Sequence, residues 1–188
     1  MKIAIIDNYD SFTYNLVHLL KQFDGVEVEV LRNDKYKIEE LDVFDKILLS
    51  PGPGIPSEAG LLMETIAAYA ESKPILGICL GHQAIGEHFG ATLENLTEVF
   101  HGIQDEIHVN NDTTLFQGLT PTIDVGRYHS WAISNNELPS CIEIIAKDNA
   151  GQIMAIQHKE LPIMGMQFHP ESVLTPTGEK IIKQWINN

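Results

Sequence analysis

Cysteines, basic residues and long apolar runs are all scarce in this 188-residue chain, and each scarcity removes a class of protein. The two cysteines, Cys79 and Cys141, have neither the density of a disulfide framework nor the paired spacing of a zinc site. A reducing compartment, the cytoplasm, is the expected location. Twelve Lys and Arg against 26 Asp and Glu leave a formal net charge of −14, with acids and bases interspersed. Such a surface repels a phosphate backbone, so nucleic acid is not expected as the main partner, and the charge reads as a solvated, non-sticky exterior. The opening apolar run, Ile3 to Ile6, falls well short of the ~7–15 residues of a signal-peptide core or the ~20 of a membrane helix, so a soluble, non-exported protein is expected. There is no low-complexity stretch and no repeat of ~20–50 residues, which excludes solenoids. With 14 Gly and 9 Pro the composition is also far from collagen-like or linker-dominated chains.

What is present is a core-forming composition, 44% hydrophobic, at a length that suits one domain. Apolar patterning predicts strands over 2–6, 26–31, 46–49 and 74–78, with helices over 12–23 and 57–70 and another beginning near Gly81. Alternating strand and helix implies a parallel sheet with right-handed crossovers and helices on both faces. Beyond about Ala91 the pattern becomes β-rich: 92–96, 106–109, 122–127, 142–147, 153–158 and 163–168 read as strands between Asn, Asp, Gly and Pro turns. No linker separates the halves, so these strands should extend or flank the same sheet. A helix over 177–186 closes the chain. In such α/β sheets ligands bind beyond the carboxyl ends of the strands, which directs attention to the loops after Ile6, Leu49 and Ile78.

The loop after Ile78 carries Gly77-Ile78-Cys79-Leu80-Gly81-His82-Gln83, the thiol form of a nucleophile elbow. Small residues two before and two after the nucleophile let a strand turn sharply into a helix and leave the nucleophile above the sheet. Cys79 would then face a helix N-terminus, where the dipole and free N–H groups favour a thiolate. A free cysteine is more often an inert core residue, and the matched glycines are what reverse that reading. A base is available in Phe168-His169-Pro170-Glu171-Ser172. Pro170 keeps His169 extended, so His169 and Glu171 project to one side, as a base and its orienting acid would. The isolated pair would be an ordinary surface ion pair; beside the elbow it completes a triad. Ser50-Pro51-Gly52-Pro53-Gly54-Ile55-Pro56 forms a stiff turn that a ligand can approach closely, as an oxyanion hole requires. Its prolines lack the donors a pyrophosphate would need, so it is no dinucleotide loop.

These elements, with the opening Asp7-Asn8-Tyr9-Asp10-Ser11-Phe12-Thr13-Tyr14-Asn15 and with Arg127-Tyr128-His129-Ser130-Trp131, resemble the class I (triad) glutamine amidotransferases. The likeness is greatest to the small glutaminase subunits (component II) of anthranilate synthase and aminodeoxychorismate synthase, and it spans residues 1–188. It implies an α/β, single-domain, flavodoxin-like fold with a central, mostly parallel sheet, helices on both faces and a β-rich second half. It further implies Cys79 as nucleophile, His169 as base and Glu171 as orienter, with oxyanion N–H groups from Gly52 and Leu80. The glutamine substrate would be held by Gly52, Pro53, Gly54, Gln83 and the Ser130-Trp131 backbone. The implied partner is a chorismate-binding synthase component in a separate polypeptide. No cofactor is implied on this chain; a divalent metal such as Mg would serve the partner. Two positions depart from the pattern: Ile103 follows His101-Gly102 where many members carry Lys, and Trp131 stands where Leu is also frequent.

The same triad would suit a stand-alone γ-glutamyl or peptide hydrolase, which should be fully active alone, whereas an amidotransferase component should be accelerated by its partner. A non-enzymatic module is disfavoured by the presence of all three triad residues. His82, His88, His101, His108 and His129 lack metal-ligand spacing and read as structural or partner-facing. Cys141, heading an apolar strand, reads as core. Asp10 or Ser11 would cap the first helix.

Overall fold

The computed structural model describes residues 1–188. In chain order the elements are β1 (Lys2–Asp7), α1 (Thr13–Leu20), β2 (Glu27–Arg32), β3 (Lys46–Leu49), α2 (Leu62–Tyr69), β4 (Ile75–Ile78), α3 (Leu80–His88), β5 (Leu93–Asn95), β6 (Ile103–Val109), β7 (Thr122–Arg127), β8 (Trp131–Ile133), β9 (Ile142–Asp148), β10 (Ile153–His158), β11 (Ile163–Met166) and α4 (Gly178–Asn187). Nine strands form one sheet in the order β2-β1-β3-β4-β11-β10-β9-β6-β7. From β2 to β11 the neighbours run parallel; from β11 to β7 every pairing is antiparallel.

Alternation along the central strands builds two cores, one on each face. Ile3, Ile5, Leu48, Leu76 and Ile78 face α1 and α4, which contribute Leu16, Leu20, Ile181, Ile182 and Trp185. Ala4, Ile6, Ile47, Leu49 and Ile75 face α2 and α3, which contribute Leu62, Ile66, Ala84 and Ile85. No helix is long and apolar enough to cross a membrane.

Two expectations change. The continuous helix over 57–70 is broken: a 3-10 turn at Pro56–Glu58 ends before α2 because Gly60 takes φ +57° against the Asn33 carbonyl, where a side chain would not fit. The β-rich half does not all join one sheet either. Residues of the expected 92–96 strand pair instead with β8 in a separate two-stranded ribbon. That ribbon has a consequence for the site, since it presents Ser130 and Trp131 over the carboxyl end of β4.

Candidate active site

The glycines around Cys79 are required by close packing of backbone on backbone. A Cβ on Gly77 would collide with the Gly81 carbonyl group, and one on Gly81 would lie 2.5 Å from the Leu49 carbonyl oxygen. With both sites bare, β4 turns into α3 within one residue, and Cys79 takes the strain at φ 50°, ψ −101°. A non-glycine residue there costs about 1–3 kcal/mol, held in place here by Cys79 N–H donating to Met166 O (2.8 Å) and Gln83 N–H donating to Cys79 O (3.0 Å). The opening motif pins the neighbouring loop. Buried Asn8 receives Asn33 at Oδ1, donates from Nδ2 to Ser50 O and from its backbone N–H to Ser50 Oγ. Gly52 is pressed so close that a Cβ would sit 2.5 Å from Asn8 Cβ and 2.7 Å from Leu80 Cδ2. Gly52 and Leu80 are therefore adjacent, and neither backbone N–H has a partner in the chain. The N-cap of α1 is Phe12, with no side-chain cap, so neither Asp10 nor Ser11 caps the helix as expected; Asp7 instead accepts from the Thr13 hydroxyl and Asp10 from the Phe12 N–H.

His169 and Glu171 come from the loop after β11. Glu171 Oε1 accepts from His169 Nδ1 at 2.6 Å, and the Glu171 side chain is fully buried. The imidazole packs edge-on against Phe12 (5.3 Å between ring centroids) and Tyr128 (4.8 Å), which fixes its plane. Burial opposes charge on His169, but the Cys79 thiol and the Glu171 carboxylate together overcome it and hold the imidazolium well above its ordinary range. Its Nε2 is buried and makes no hydrogen bond within the chain.

A cavity of about 180 Å³ opens beside Cys79. Gly52, Pro53, Gly54, Gln83, Ser130 and Trp131, the residues expected to bind a ligand, all line it, and Tyr128 and His129 join them. A wider depression, about 520 Å³, runs along the exposed polar face of α4 and holds no nucleophile. His129 is nearly buried, donates to the Trp131 carbonyl and receives Arg127 Nε at 3.2 Å. Arg127 is itself buried between Asp105 (2.6 Å) and Asp148 (2.8 Å). Desolvation, then the Arg127 charge, push His129 down to about 4, so it is neutral at physiological pH. His82 packs against Gly165 of β11 and is fully buried, so of the two readings, structural or partner-facing, only the structural one fits. Its burial pushes it down to about 3; the Gly165 backbone favours charge slightly, but neither ring nitrogen reaches a partner at hydrogen-bonding geometry. One residue the sequence reading passed over touches the thiol: Gln167, fully buried, lies with Nε2 3.5 Å from Cys79 Sγ. Its only signal was its place two residues before His169.

A strained thiol, a buried histidine–carboxylate pair, two unpaired N–H groups and a small polar cavity are the features that cysteine acyl transfer calls for. Comparison with known proteins identifies the family. The family model described as glutamine amidotransferase class-I matches residues 4–188. Anthranilate synthase component 2 of Mycobacterium tuberculosis is 45% identical over 99% of this chain and 82% of its own length. Aminodeoxychorismate/anthranilate synthase component 2 of Bacillus subtilis is 43% identical over 98% and 95%. The bifunctional protein TrpGD of Thermotoga maritima is 43% identical over 99% of this chain, which spans 32% of that longer protein. Among solved structures, a putative GMP synthase subunit from Thermoplasma acidophilum superposes with a TM-score of 0.89 at 31% identity, covering 100% of this chain and 92% of that one. Fold and relatives thus converge, and the chain belongs to the class-I glutamine amidotransferases.

Proposed function

We propose that this chain is the glutaminase subunit of an anthranilate synthase, releasing ammonia from L-glutamine for a chorismate-binding synthase component, in the cytoplasm. The observation that carries the reading is the Cys79 elbow opening on a cavity that Gly52 and Gln83 also line, with the Gly52 and Leu80 N–H groups unpaired and the buried His169–Glu171 pair electrostatically coupled to Cys79. The names of the relatives from M. tuberculosis and B. subtilis support the partner and the product class.

In this mechanism the Cys79 thiolate attacks the side-chain amide carbon of glutamine, and the π pair moves to oxygen, where the Gly52 and Leu80 N–H groups receive it. As the tetrahedral intermediate collapses, the C–N bond breaks and the nitrogen takes the proton from His169 Nε2, so ammonia leaves and a thioester remains. Neutral His169 then removes a proton from water, which attacks the thioester; glutamate departs and the thiolate–imidazolium pair is restored. Glu171 holds Nδ1–H throughout and fixes the ring. The cavity of about 180 Å³ leaves room for a glutamine-sized ligand beside the thiol.

The name of the B. subtilis relative carries a second reading, in which this chain also serves aminodeoxychorismate synthesis. Mixing the chain with each type of chorismate-binding component and identifying the product formed from chorismate and glutamine separates the two. Cys79→Ser should abolish glutamine-dependent product while ammonia-dependent synthesis by the partner continues. Unchanged glutaminase activity in that variant would overturn the assignment.

A further inference from the structure

We infer that Gln167 is a further catalytic residue: its side-chain amide donates a hydrogen bond to the Cys79 sulfur, with a polarity imposed by a chain of hydrogen bonds anchored at buried Arg127. The two ends of an amide have nearly the same shape, so which end faces the sulfur has to follow from its partners. The chain of partners leaves one solution. The Arg127 side chain carries no acceptor atom, so its Nε–H makes His129 Nε2 the acceptor (3.2 Å) and places the ring proton on Nδ1. Nδ1–H then donates to the Trp131 carbonyl (2.9 Å). That carbonyl can only accept, so the group of Gln83 that lies 2.8 Å from it is the amide nitrogen. The same nitrogen donates its second hydrogen to Gln167 Oε1 at 3.1 Å. What Gln167 turns toward Cys79 Sγ, at 3.5 Å, is therefore Nε2–H.

Two consequences follow. A hydrogen bond to the charged form favours it, so Gln167 stabilises the thiolate, and unlike His169 it does not titrate. It keeps its donor on the sulfur through the thioester stage, so the donor is in place when hydrolysis expels the thiolate. Gln83, in turn, has spent both amide hydrogens inside the protein. What it offers the cavity is its carbonyl oxygen, which suits an N–H group of the ligand and not a carboxylate.

The inference rests on Cys79 as the reacting group, and its test uses no glutamine, so it stands apart from the glutaminase assignment. The measurement is the rate of iodoacetamide alkylation of Cys79 in the full chain from about pH 5 to 9, followed by mass spectrometry to separate Cys79 from Cys141. Gln167→Met keeps length and removes the donor; alkylation at neutral pH should slow about tenfold, with its pH midpoint displaced upward. Gln83→Glu should slow it too, because a carboxylate draws the Gln167 NH2 group toward itself and turns Oε1 to the sulfur. If the glutamate acted through its charge alone, it would slow Gln167→Met equally; if it acts by turning Gln167, its effect vanishes in that background. An unchanged rate and midpoint in folded Gln167→Met overturns the inference, as does an equal effect of Gln83→Glu in both backgrounds. Should Gln167→Met not fold, an unchanged rate in Gln83→Glu alone overturns it. Loss of the glutaminase reading would show separately, as wild-type chain that alkylates normally yet hydrolyses no glutamine with its partner present.

Discussion

In the parallel half of the sheet the site is built by backbone, and in the antiparallel half by side chains. Cys79, Gly52 and Leu80 are set by what cannot be there: Cβ atoms at Gly77, Gly81 and Gly52 would strike neighbouring main chain or packed side chains. His169, Glu171 and Gln167 are set by what grips them: a 2.6 Å carboxylate contact, two aromatic rings and a chain of amides reaching back to Arg127. The first arrangement is stiff because backbone cannot yield. The second depends on every link being satisfied, since an unpaired buried polar group costs about 1–3 kcal/mol.

The largest blow should therefore fall on the parallel half. Gly81→Ala puts a methyl group 2.5 Å from the Leu49 carbonyl oxygen, so β3 and α3 must separate or the elbow must open. A loss of about 3 kcal/mol, roughly 6–12 °C in Tm, is expected together with loss of glutamine hydrolysis. Thermal unfolding and a glutaminase assay check it. A stable, active Gly81→Ala variant would break the comparison at its strongest point.

Next in size is Glu171→Gln, which keeps shape and removes charge. The fold should survive, and kcat should fall about 10²–10⁴-fold as His169 loses its orienting carboxylate. The pH profile carries the sign. Burial alone would depress His169, and Cys79 and Glu171 raise it. The stability this lends is fully present below about pH 6.5 and is lost as pH rises through the folded value. Without Glu171 the folded value drops, so the alkaline limb of kcat/KM should move to lower pH and the acid-side stability should shrink. An alkaline limb that stays in place would assign the elevation to Cys79 alone.

The difference between the halves also explains what could be read from the residues alone. Backbone crowding leaves a mark in composition: Gly77 and Gly81 at matched spacing from Cys79, and Gly and Pro after Leu49, are one-residue-deep signals. His169 and Glu171 were legible because Pro170 holds them locally. Arg127 and Gln167 left no such mark, because their partners lie far away in sequence. Gln167 meets Cys79 across 88 positions and Gln83 across 84. The β5–β8 ribbon was missed for a related reason: β8 is three residues long, and nothing local tells a short strand which edge to join.

The smallest expected effect tests where the two modes meet. Trp131 lies outside the nine-stranded sheet, in the β5–β8 ribbon, yet its part too is played by main chain. Leu96 N–H donates to Ser130 O and Ser134 N–H to Thr92 O, so the intervening pair Asn95–Trp131 is not hydrogen-bonded across the ribbon. The polar groups of Trp131 are thereby turned away from β5, and its carbonyl accepts both Gln83 and His129. The indole takes no part in this, so Trp131→Leu should change KM for glutamine by less than about threefold and leave kcat alone. A KM rise beyond about tenfold would mean that the ring itself shapes the cavity, and the rule that glutamine-site geometry reduces to main chain wherever the chain is crowded would stop at β8.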